Sequence, residues 1–356
     1  MQDDDIFSKY DLGEKLGSGG FGQVRDATVK RSGEVRACKV IVKEEMEASS
    51  PVNVEEEVEI MTLLHHENCI RLYDVYEDQF MMYIVMEKCC GGELFCKLET
   101  DVIIKESTAA NICKQMVEAI RYVHSVGVAH RDLKPENFLF ADTSAEPPLK
   151  LIDFGLSKIV QPHEVLSEPC GTLHYVAPEV LRGAYNVKAD MWAVGVIIFL
   201  MLYGYYPFDG SSDEQVMRAI VQAEPRWNFA RHHVSEAAKD FMRGLLDKDP
   251  SKRLSADHAL EHRWLADPTA SQGATIPKNV VQQARRASVV VQVDDETQAK
   301  RDKLLKTEEK HLNQPKGRDR RTSVHMYSND LQMKKRLDPS SHPQVDSNIV
   351  LSAFTV

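Results

Sequence analysis

Several side chains in this sequence are of the types that handle phosphate groups. Residues 17–24 read GSGGFGQV, and glycines allow a backbone to approach a phosphate without a Cβ in the way. Lys39 follows in the apolar run ACKV, and a lysine in a strand opposite a glycine hairpin can reach the α- and β-phosphates of a nucleotide. This combination points to chemistry on a nucleotide phosphate.

The glycine motif alone leaves other interpretations open. Glycines in this pattern also occur in plain hairpins and in the dinucleotide-binding turn of oxidoreductases. That turn should run straight into a helix and be followed about 20 residues later by an acidic side chain. Here the strand-like VRDATV follows, and Lys39 lies about where the acid is expected. An ordinary edge lysine is a further alternative, against which the apolar flanks of Lys39 argue.

The stretch at 130–137, HRDLKPEN, carries the most information. With the later DFG and APE, the order of motifs is glycine loop, lysine, H-R-D, D-F-G and A-P-E. On these motifs the chain resembles a eukaryotic protein kinase over about 10–265. Lys134 and the pair Gly171-Thr172 resemble serine/threonine kinases rather than tyrosine kinases. The segments GGELF, HHENCIRLY, GYYPFDG and HRWL look most like the calcium/calmodulin-dependent kinase group, including the calcium-dependent kinases of plants and protists.

The resemblance implies an α+β fold with two lobes, and the residue patterns agree with it. The N-lobe, 10–87, is mostly strand-like, with one helical stretch, VEEEVEIMTLL. The C-lobe, 91–265, is mainly helical in pattern. Together they would form one protein kinase domain, 10–265, behind a short polar leader, 1–9.

Past Trp264 the composition changes. The remainder, 266–356, is basic and has no aromatic residue between 266 and 325, so it cannot build a core of its own. We therefore predict a regulatory tail that is largely disordered or partly helical. The sequence has no D-x-D-x-D-G loop, so no EF-hand is predicted.

The resemblance assigns catalytic roles residue by residue. Asp132 would accept the proton of the substrate hydroxyl and aim its oxygen, and Lys134 would face the transferring γ-phosphate. Lys39 needs a carboxylate that holds it, and among the glutamates of the predicted helix the family pattern selects Glu57. Thr172 completes the set of catalytic residues.

ATP and Mg²⁺ are the cofactors that the resemblance implies. Asn137 and Asp153 would hold the metal. The residues assigned to the nucleotide cleft and its acidic edge are Leu16, Gly17, Ser18, Gly19, Gly20, Phe21, Gly22, Val24, Ala37, Lys39, Met86, Glu87, Cys89, Glu93, Glu136 and Leu139.

Glu93 and Glu136 also resemble acidic residues that hold a substrate arginine in related kinases. They predict a preference for Arg three residues before the acceptor. Arg218 stands where basophilic relatives have a third acidic residue, so a second basic requirement is not predicted.

Further positions match the internal frame of the family. Asp190 would hold the backbone of H-R-D, and Glu179 would pair with Arg253. A stacked column between the lobes would consist of His130, Phe154, Met61 and Leu72. A pseudokinase that serves as a scaffold is the rival class, but such a protein is free to lose the catalytic residues, all of which are present here.

The segment SEPCGT, between D-F-G and A-P-E, resembles an activation segment. A phosphorylatable threonine stands two residues before Cys-Gly-Thr in related kinases, and here Glu168 occupies that place. Its carboxylate would face Arg131 with about one charge, against roughly −1.5 to −2 for a phosphate. We therefore predict activity without an upstream activating kinase, with Ser167 as at most a secondary site. Leu173 replaces a proline common in this group.

The tail offers two serines that each follow an arginine by three residues, Ser288 and Ser323. They are candidates for phosphorylation, and a solvated basic patch is the alternative. Apolar residues around Ser288 recur at helical spacing, which predicts an autoinhibitory helix on the catalytic lobe. Calmodulin is a partner that the family suggests, although the tail lacks the bulky anchors that its targets usually offer.

Composition narrows the remaining choices. The net charge of −10 argues against nucleic acid as a partner. The longest apolar run, at 191–204, is short for a membrane span and predicts a buried helix. Seven cysteines without a C-x-x-C pair favour reduced thiols and a cytoplasmic or nuclear protein. We expect a monomer that acts on protein substrates with basic motifs and binds neither nucleic acid nor membrane.

Overall fold

A computed structural model describes residues 5–19, 22–43, 54–99, 103–227, 232–267, 269–270 and 274–290. In this part of the chain a β-rich amino-terminal lobe precedes a helical lobe. A strand and a helix from the tail lie against the helical lobe. The predicted α+β fold with two lobes is confirmed.

The amino-terminal lobe is a five-stranded antiparallel sheet in the order β1-β2-β3-β5-β4. Its strands are β1 (Tyr10–Gly19), β2 (Gly22–Val29), β3 (Val35–Val42), β4 (Leu72–Glu77) and β5 (Met81–Met86). Alternate residues of β5 enter different cores: Ile84 faces the main core, whereas Tyr83 and Val85 belong to a smaller cluster on the other side of the sheet. Burial on both faces explains why β5 is a continuous apolar run in the sequence.

Two helices accompany this sheet, α1 (Ile6–Lys9) and α2 (Val54–Leu63). The sequence predicts only a polar leader before residue 10, but the described part of it forms α1. Asp5 caps this helix by accepting a bond from the Phe7 N–H, and Ile6 is 2% exposed. Ile6 joins the smaller cluster of the sheet, and that burial accounts for the order of the segment.

The helical lobe is built around two long helices. Its helices are α3 (Leu94–Leu98), α4 (Glu106–Ser125), α5 (Pro178–Leu181), α6 (Lys188–Tyr203), α7 (Asp213–Gln222), α8 (Glu236–Leu245), α9 (Ala256–Glu261) and α10 (Arg263–Ala266). Its short strands are β6 (Ile103–Lys105), β7 (Val128–Ala129), β8 (Phe138–Phe140), β9 (Leu149–Leu151) and β10 (Lys158–Ile159). Two 3₁₀ turns, Pro135–Asn137 and Leu173–Tyr175, lie beside the site described below.

Helix α6 is the centre of the helical lobe and packs on α4 and α8. Every residue from Asp190 to Tyr203 is buried, so the apolar run forms the buried helix that the sequence predicts. Gly204 ends the helix in the left-handed region, at φ 79°. Among the described residues no helix has the length and apolarity to cross a membrane.

The tail returns to the helical lobe through a strand and a helix. Strand β11 (Thr275–Pro277) pairs antiparallel with β6, and α11 (Lys278–Val290) follows it at once. The apolar side of α11 packs against α6 and α3, where Val281 and Ala284 are fully buried. The predicted helical spacing in this segment therefore corresponds to a docked helix; Val291, which extends the pattern, and Ser323 lie outside the described residues.

Candidate active site

Asp132 has both carboxylate oxygens engaged in hydrogen bonds. Its Oδ2 accepts a bond from Lys134 Nζ at 2.6 Å. Its Oδ1 accepts two bonds from Thr172, one from the backbone N–H at 3.0 Å and one from the hydroxyl at 2.8 Å. Because both oxygens are engaged, the carboxylate is fixed in direction before any substrate arrives. The structure brings the three predicted catalytic residues of this loop region together.

The predicted metal ligands lie on the same side of the cleft. Asn137 Nδ2 donates to the Asp132 carbonyl at 2.8 Å, so the Asn137 Oδ1 atom is the one that suits a cation. Asp153 Oδ1 accepts from the Gly155 N–H at 3.1 Å. Burial works against its charge, but the nearby Lys39 ammonium and this hydrogen bond outweigh it and lower the pKa of Asp153.

An ionised carboxylate and an amide oxygen are hard donors and fit Mg²⁺. Within the described residues no group of three or more His, Cys, Asp and Glu side chains could hold a metal ion by itself. Asn137 and Asp153 would therefore hold Mg²⁺ jointly with phosphate oxygens, the usual arrangement for this ion.

Lys39 of β3 and Glu57 of α2 form an ion pair between the sheet and the helix. Lys39 Nζ lies 2.6 Å from Glu57 Oε1, and the Glu57 side chain is only 3% exposed. Burial disfavours the ammonium, yet the carboxylates of Glu57 and Asp153 prevail and raise the pKa of Lys39. Glu55 and Glu59 are exposed on the same helix. The structure therefore places Glu57, rather than Glu55 or Glu59, against Lys39.

Asp190 of α6 holds the backbone of the catalytic loop. Asp190 accepts bonds from the backbone N–H groups of His130 and Arg131, both at 2.9 Å, and from His124 Nε2 at 2.8 Å. Burial opposes its charge, but the bond from His124 and the nearby His130 lower the pKa of Asp190. These bonds hold Arg131 at φ 70°, an uncommon region for a side chain other than glycine. The predicted role of Asp190 is confirmed.

Two other predicted contacts of the frame are present. The rings of His130 and Phe154 lie 5.2 Å apart in an edge arrangement. Glu179 and Arg253 form a buried, two-pronged ion pair, in which Arg253 Nη2 donates to Glu179 Oε2 at 2.9 Å.

Several residues predicted to enclose the nucleotide lie on strands of the sheet. Val24 pairs with Lys39 in the β2–β3 register, and Ala37 pairs with Met86 in the β3–β5 register. Leu16 is 46% exposed on β1, as an apolar residue at an open cleft would be.

The residues predicted for the opposite wall and the hinge lie in the helical lobe and between the lobes. Leu139 of β8 is half-buried and is bridged to Glu93. In the hinge, the Glu87 carboxylate pairs with Lys150 at 2.9 Å, and Cys89 is half-buried. Of the predicted glycine loop, Gly20 and Phe21 lie outside the described residues.

The activation segment brings Glu168 towards Arg131, but only loosely. Glu168 Oε2 is 4.0 Å from Arg131 Nη1, and the Glu168 side chain is 75% exposed. Arg131 makes closer contacts elsewhere: its Nε donates to the Leu156 carbonyl at 2.6 Å and its Nη1 to the Tyr185 hydroxyl at 3.4 Å.

The acidic residues predicted to hold a substrate arginine lie beside the tail helix. The Ser288 hydroxyl donates to the Arg285 carbonyl at 2.9 Å, and the Ser288 residue is 5% exposed. Ser288 also interacts with Glu136, whose pKa is raised by burial despite that contact and the nearby Lys134. Arg285 forms an ion pair with Glu99 of the segment after α3. The tail therefore covers this edge of the cleft.

Sequence reasoning missed three residues that the structure places at these contacts. They are Glu99, which binds the tail arginine, Tyr206, whose hydroxyl donates to the Ala287 carbonyl at 3.3 Å, and Tyr185. Glu99 follows Glu93 in a short acidic stretch, which is a weak signal. Tyr206 stands within GYYPFDG, a segment that carries the family resemblance but does not point to a contact with the tail, and nothing in the sequence around Tyr185 marks it.

Comparison with known proteins agrees with this geometry. The family described as Protein kinase domain matches residues 10–265, and the chain belongs to that family. Its domain is of the serine/threonine type and similar to the calcium/calmodulin-dependent kinase group.

Three relatives illustrate the similarity. Calcium-dependent protein kinase 7 of Arabidopsis thaliana is 41% identical over 287 residues, which cover 78% of this chain and 53% of the relative. CDPK-related kinase 5 of the same plant is 41% identical over 281 residues, which cover 77% of this chain and 46% of the relative. Calcium-dependent protein kinase 20 of Oryza sativa subsp. japonica is 39% identical over 287 residues, covering 78% and 52%. The chain spans about half the length of the curated relatives it matches.

Proposed function

We propose that this chain is an ATP- and Mg²⁺-dependent serine/threonine protein kinase that transfers the γ-phosphate of ATP to hydroxyls of protein substrates. The observation that carries the proposal is the engaged state of Asp132, which is held by Lys134 and Thr172 while Lys39 and Glu57 form their ion pair. Phosphoryl transfer asks the protein chiefly for positioning and charge neutralisation, and this arrangement supplies both.

Each side chain has a definite part in the transfer. Asp132 accepts the proton of the attacking hydroxyl and orients its oxygen. Lys134, which contacts Asp132, neutralises charge on the transferring phosphoryl group, and Lys39 orients the α- and β-phosphates. Mg²⁺, when bound, neutralises the charge that develops between the β- and γ-phosphates.

The test is transfer of labelled phosphate from ATP to a peptide library by the purified chain, with and without Ca²⁺/calmodulin. We expect Mg²⁺-dependent transfer to serine and threonine, and an Asp132→Asn chain without it. Binding of ATP with no transfer under any condition would instead favour a pseudokinase scaffold.

We further propose a preference for arginine three residues before the acceptor. Glu93 and Glu136 lie close enough to interact electrostatically at the edge of the cleft, and Arg285 of the tail already occupies this acidic region. Arg285 pairs with Glu99, and we expect a substrate guanidinium to bind the nearby Glu93 and Glu136. A positional library with no preference at that position would contradict this specificity.

The chain is also proposed to be active without activation-segment phosphorylation. Glu168 supplies a negative charge on the side of Arg131, and Asp132 is already bound to Thr172. Protein made in bacteria and shown by mass spectrometry to lack phosphate at Ser167 should therefore transfer phosphate. Activity that appears only after treatment with an upstream kinase would refute this proposal.

Autoinhibition by the tail is the proposed form of control. Helix α11 buries Val281 and Ala284, pairs Arg285 with Glu99 and covers Glu136 with Ser288. With α11 docked, Ser288 lies beside Glu136, and we expect it to compete with a substrate arginine for that carboxyl. Removal of 266–356 should therefore raise activity and lower the KM for basic peptides, and unchanged kinetics would exclude this control.

Ser288 is proposed as a phosphorylation site of the undocked tail. It is 5% exposed in the docked helix, so a kinase cannot reach it there. A phosphate at this position would face the Glu136 carboxyl and oppose renewed docking. Phosphosite mapping after incubation with ATP, with Ser288→Ala as the control, should find Ser288 modified; an unmodified Ser288 in an active chain would exclude it.

A further inference from the structure

Tyr185 joins the activation segment to the catalytic loop. It lies between α5 and α6 and is 4% exposed. Its hydroxyl donates to the Glu168 carbonyl at 2.8 Å and accepts from Arg131 Nη1 at 3.4 Å. The Cys170 sulfur is 3.7 Å from the same hydroxyl. The backbone of Tyr185 also forms two hydrogen bonds with that of Leu166, with N–H···O distances of 2.8 and 3.0 Å.

The Glu168 carboxylate is less suited than the Tyr185 hydroxyl to hold the Arg131 side chain in place. Its side chain is 75% exposed and stands 4.0 Å from Arg131, so water and salt screen the attraction. The Tyr185 hydroxyl is buried and uncharged, and burial raises its pKa to about 12, so it keeps its proton at neutral pH. A buried bond to this hydroxyl is screened by salt much less than the exposed Glu168–Arg131 pair.

Arg131 in turn governs the position of Thr172. A Cβ on Gly171 would lie 2.6 Å from the Arg131 carbonyl, so the backbones of the two residues are in close contact. Thr172 follows directly and donates twice to Asp132. Arg131 also donates to the Leu156 carbonyl, just after D-F-G. A displaced Arg131 would therefore loosen the hold on Asp132.

We propose that Tyr185 is a positioning residue for phosphoryl transfer: its hydroxyl, more than the Glu168 carboxylate, keeps Arg131 and the activation segment in their catalytic arrangement when no phosphate is present. This inference rests on the proposed kinase function. It assigns to a loop tyrosine the structural work that a phosphate does in an activated segment.

The test compares three variants of the full chain at saturating peptide. Tyr185→Phe keeps the ring and the backbone bonds to Leu166 but removes the hydroxyl, and we expect kcat to fall about tenfold with the KM for ATP unchanged. Glu168→Gln should lower kcat less than about twofold. Tyr203→Phe is the matched control, because the Tyr203 hydroxyl is buried without a hydrogen-bond partner in the described part of the chain.

Salt distinguishes positioning from a general loss of structure. We expect the kcat of the wild-type chain to change little with ionic strength. In Tyr185→Phe, Arg131 keeps its bond to the Leu156 carbonyl, but its contact with residue 168 depends on the exposed Glu168–Arg131 pair. The kcat of this variant should therefore fall as salt is added, and Tyr185→Phe/Glu168→Gln should lose that salt dependence.

Two results would overturn the inference. One is a Tyr185→Phe chain with kcat within twofold of wild type. The other, which needs no tyrosine variant, is a wild-type kcat that falls steeply with salt together with a large loss in Glu168→Gln. A chain that is inactive both with and without residues 266–356 would remove the proposed function itself, and this inference with it.

Discussion

Lys39, Glu57 and Asp153 interact electrostatically between the two lobes. Lys39 pairs with Glu57 at 2.6 Å, and its charge also lowers the pKa of Asp153. The Glu57 carboxylate thus fixes the ammonium in the position from which it reaches both the phosphates and the metal side of the cleft. The contribution of Glu57 is positional, because in the implied mechanism it does not touch the reacting atoms.

Glu57→Gln should separate this role from general helix stability. The amide removes the charge that holds Lys39, so we expect kcat/KM to fall roughly 10²-fold, the usual loss for one preorganised electrostatic contact. Glu59→Gln is the matched control, since Glu59 is exposed on the same helix and should leave the kinetics unchanged. Steady-state kinetics at varied ATP would measure both. Equal kinetics in the two variants would mean that the ion pair plays no part in transfer.

At the scale of secondary-structure elements, the tail is attached in two places of different character. Strand β11 adds to β6 by backbone bonds, and Ile276 within it is 2% exposed. Helix α11 instead depends on two fully buried small residues, Val281 and Ala284, and on polar contacts at its far end. The strand pairs with β6, whereas the helix brings Ser288 beside Glu136.

Ala284→Glu should release the helix without altering the catalytic lobe. A carboxylate cannot be buried at this position without a partner, so α11 would leave its site. If docking inhibits, activity should rise at least about fivefold, within the usual range of such coupling. Asn279→Glu, at an exposed position of the same helix, is the control and should remain inhibited. Hydrogen exchange at 278–288 would show whether the helix has left; release without a rise in activity would contradict autoinhibition.

The Glu179–Arg253 pair ties α5 to the segment after α8. Both residues are buried, at 4% and 1% exposure. Arg253→Met would leave the Glu179 carboxylate buried without its partner, and we expect the free energy of unfolding to fall by about 3–5 kcal/mol. Lys252→Met, at the exposed neighbouring position, should have little effect in the same urea titration. Similar midpoints for the two variants would show that the buried pair does not stabilise the lobe.

The sequence was sufficient for contacts made by motif residues and insufficient for contacts between unmarked ones. Lys39 and Glu57 could be paired because their residue types and family spacing leave few options. The order of α1 could not be foreseen, since it depends on the apolar cover that Ile6 finds on the sheet. Tyr185 was missed for a similar reason: its partners, Arg131 and Glu168, become neighbours only when the chain folds.

For the whole molecule, we expect three histidines with lowered pKa values to set the direction of pH dependence: His130 is buried, and His66 and His174 are half-buried. Burial lowers the pKa of His66, His130 and His174 below the ordinary value. Below about pH 6.5 the unfolded chain therefore binds protons at these positions that the folded chain refuses, and stability falls as the pH is lowered. The lowered pKa values of Asp153 and Asp190 act only in a more acidic range, because their stabilisation is complete above about pH 4.

We therefore expect the unfolding midpoint to decrease steadily between pH 7.5 and 5.5. His174→Asn should flatten this slope, because the ring that stacks on Tyr206 at 4.2 Å no longer excludes a proton from the folded state. His233→Asn, at an exposed position, should have the same slope as the wild-type chain. Each kcal/mol recovered would correspond to a shift on the order of 2–4 °C in a domain of this size. A midpoint that rises towards pH 5.5, or a slope that His174→Asn leaves unchanged, would show that the histidine rings do not control this behaviour.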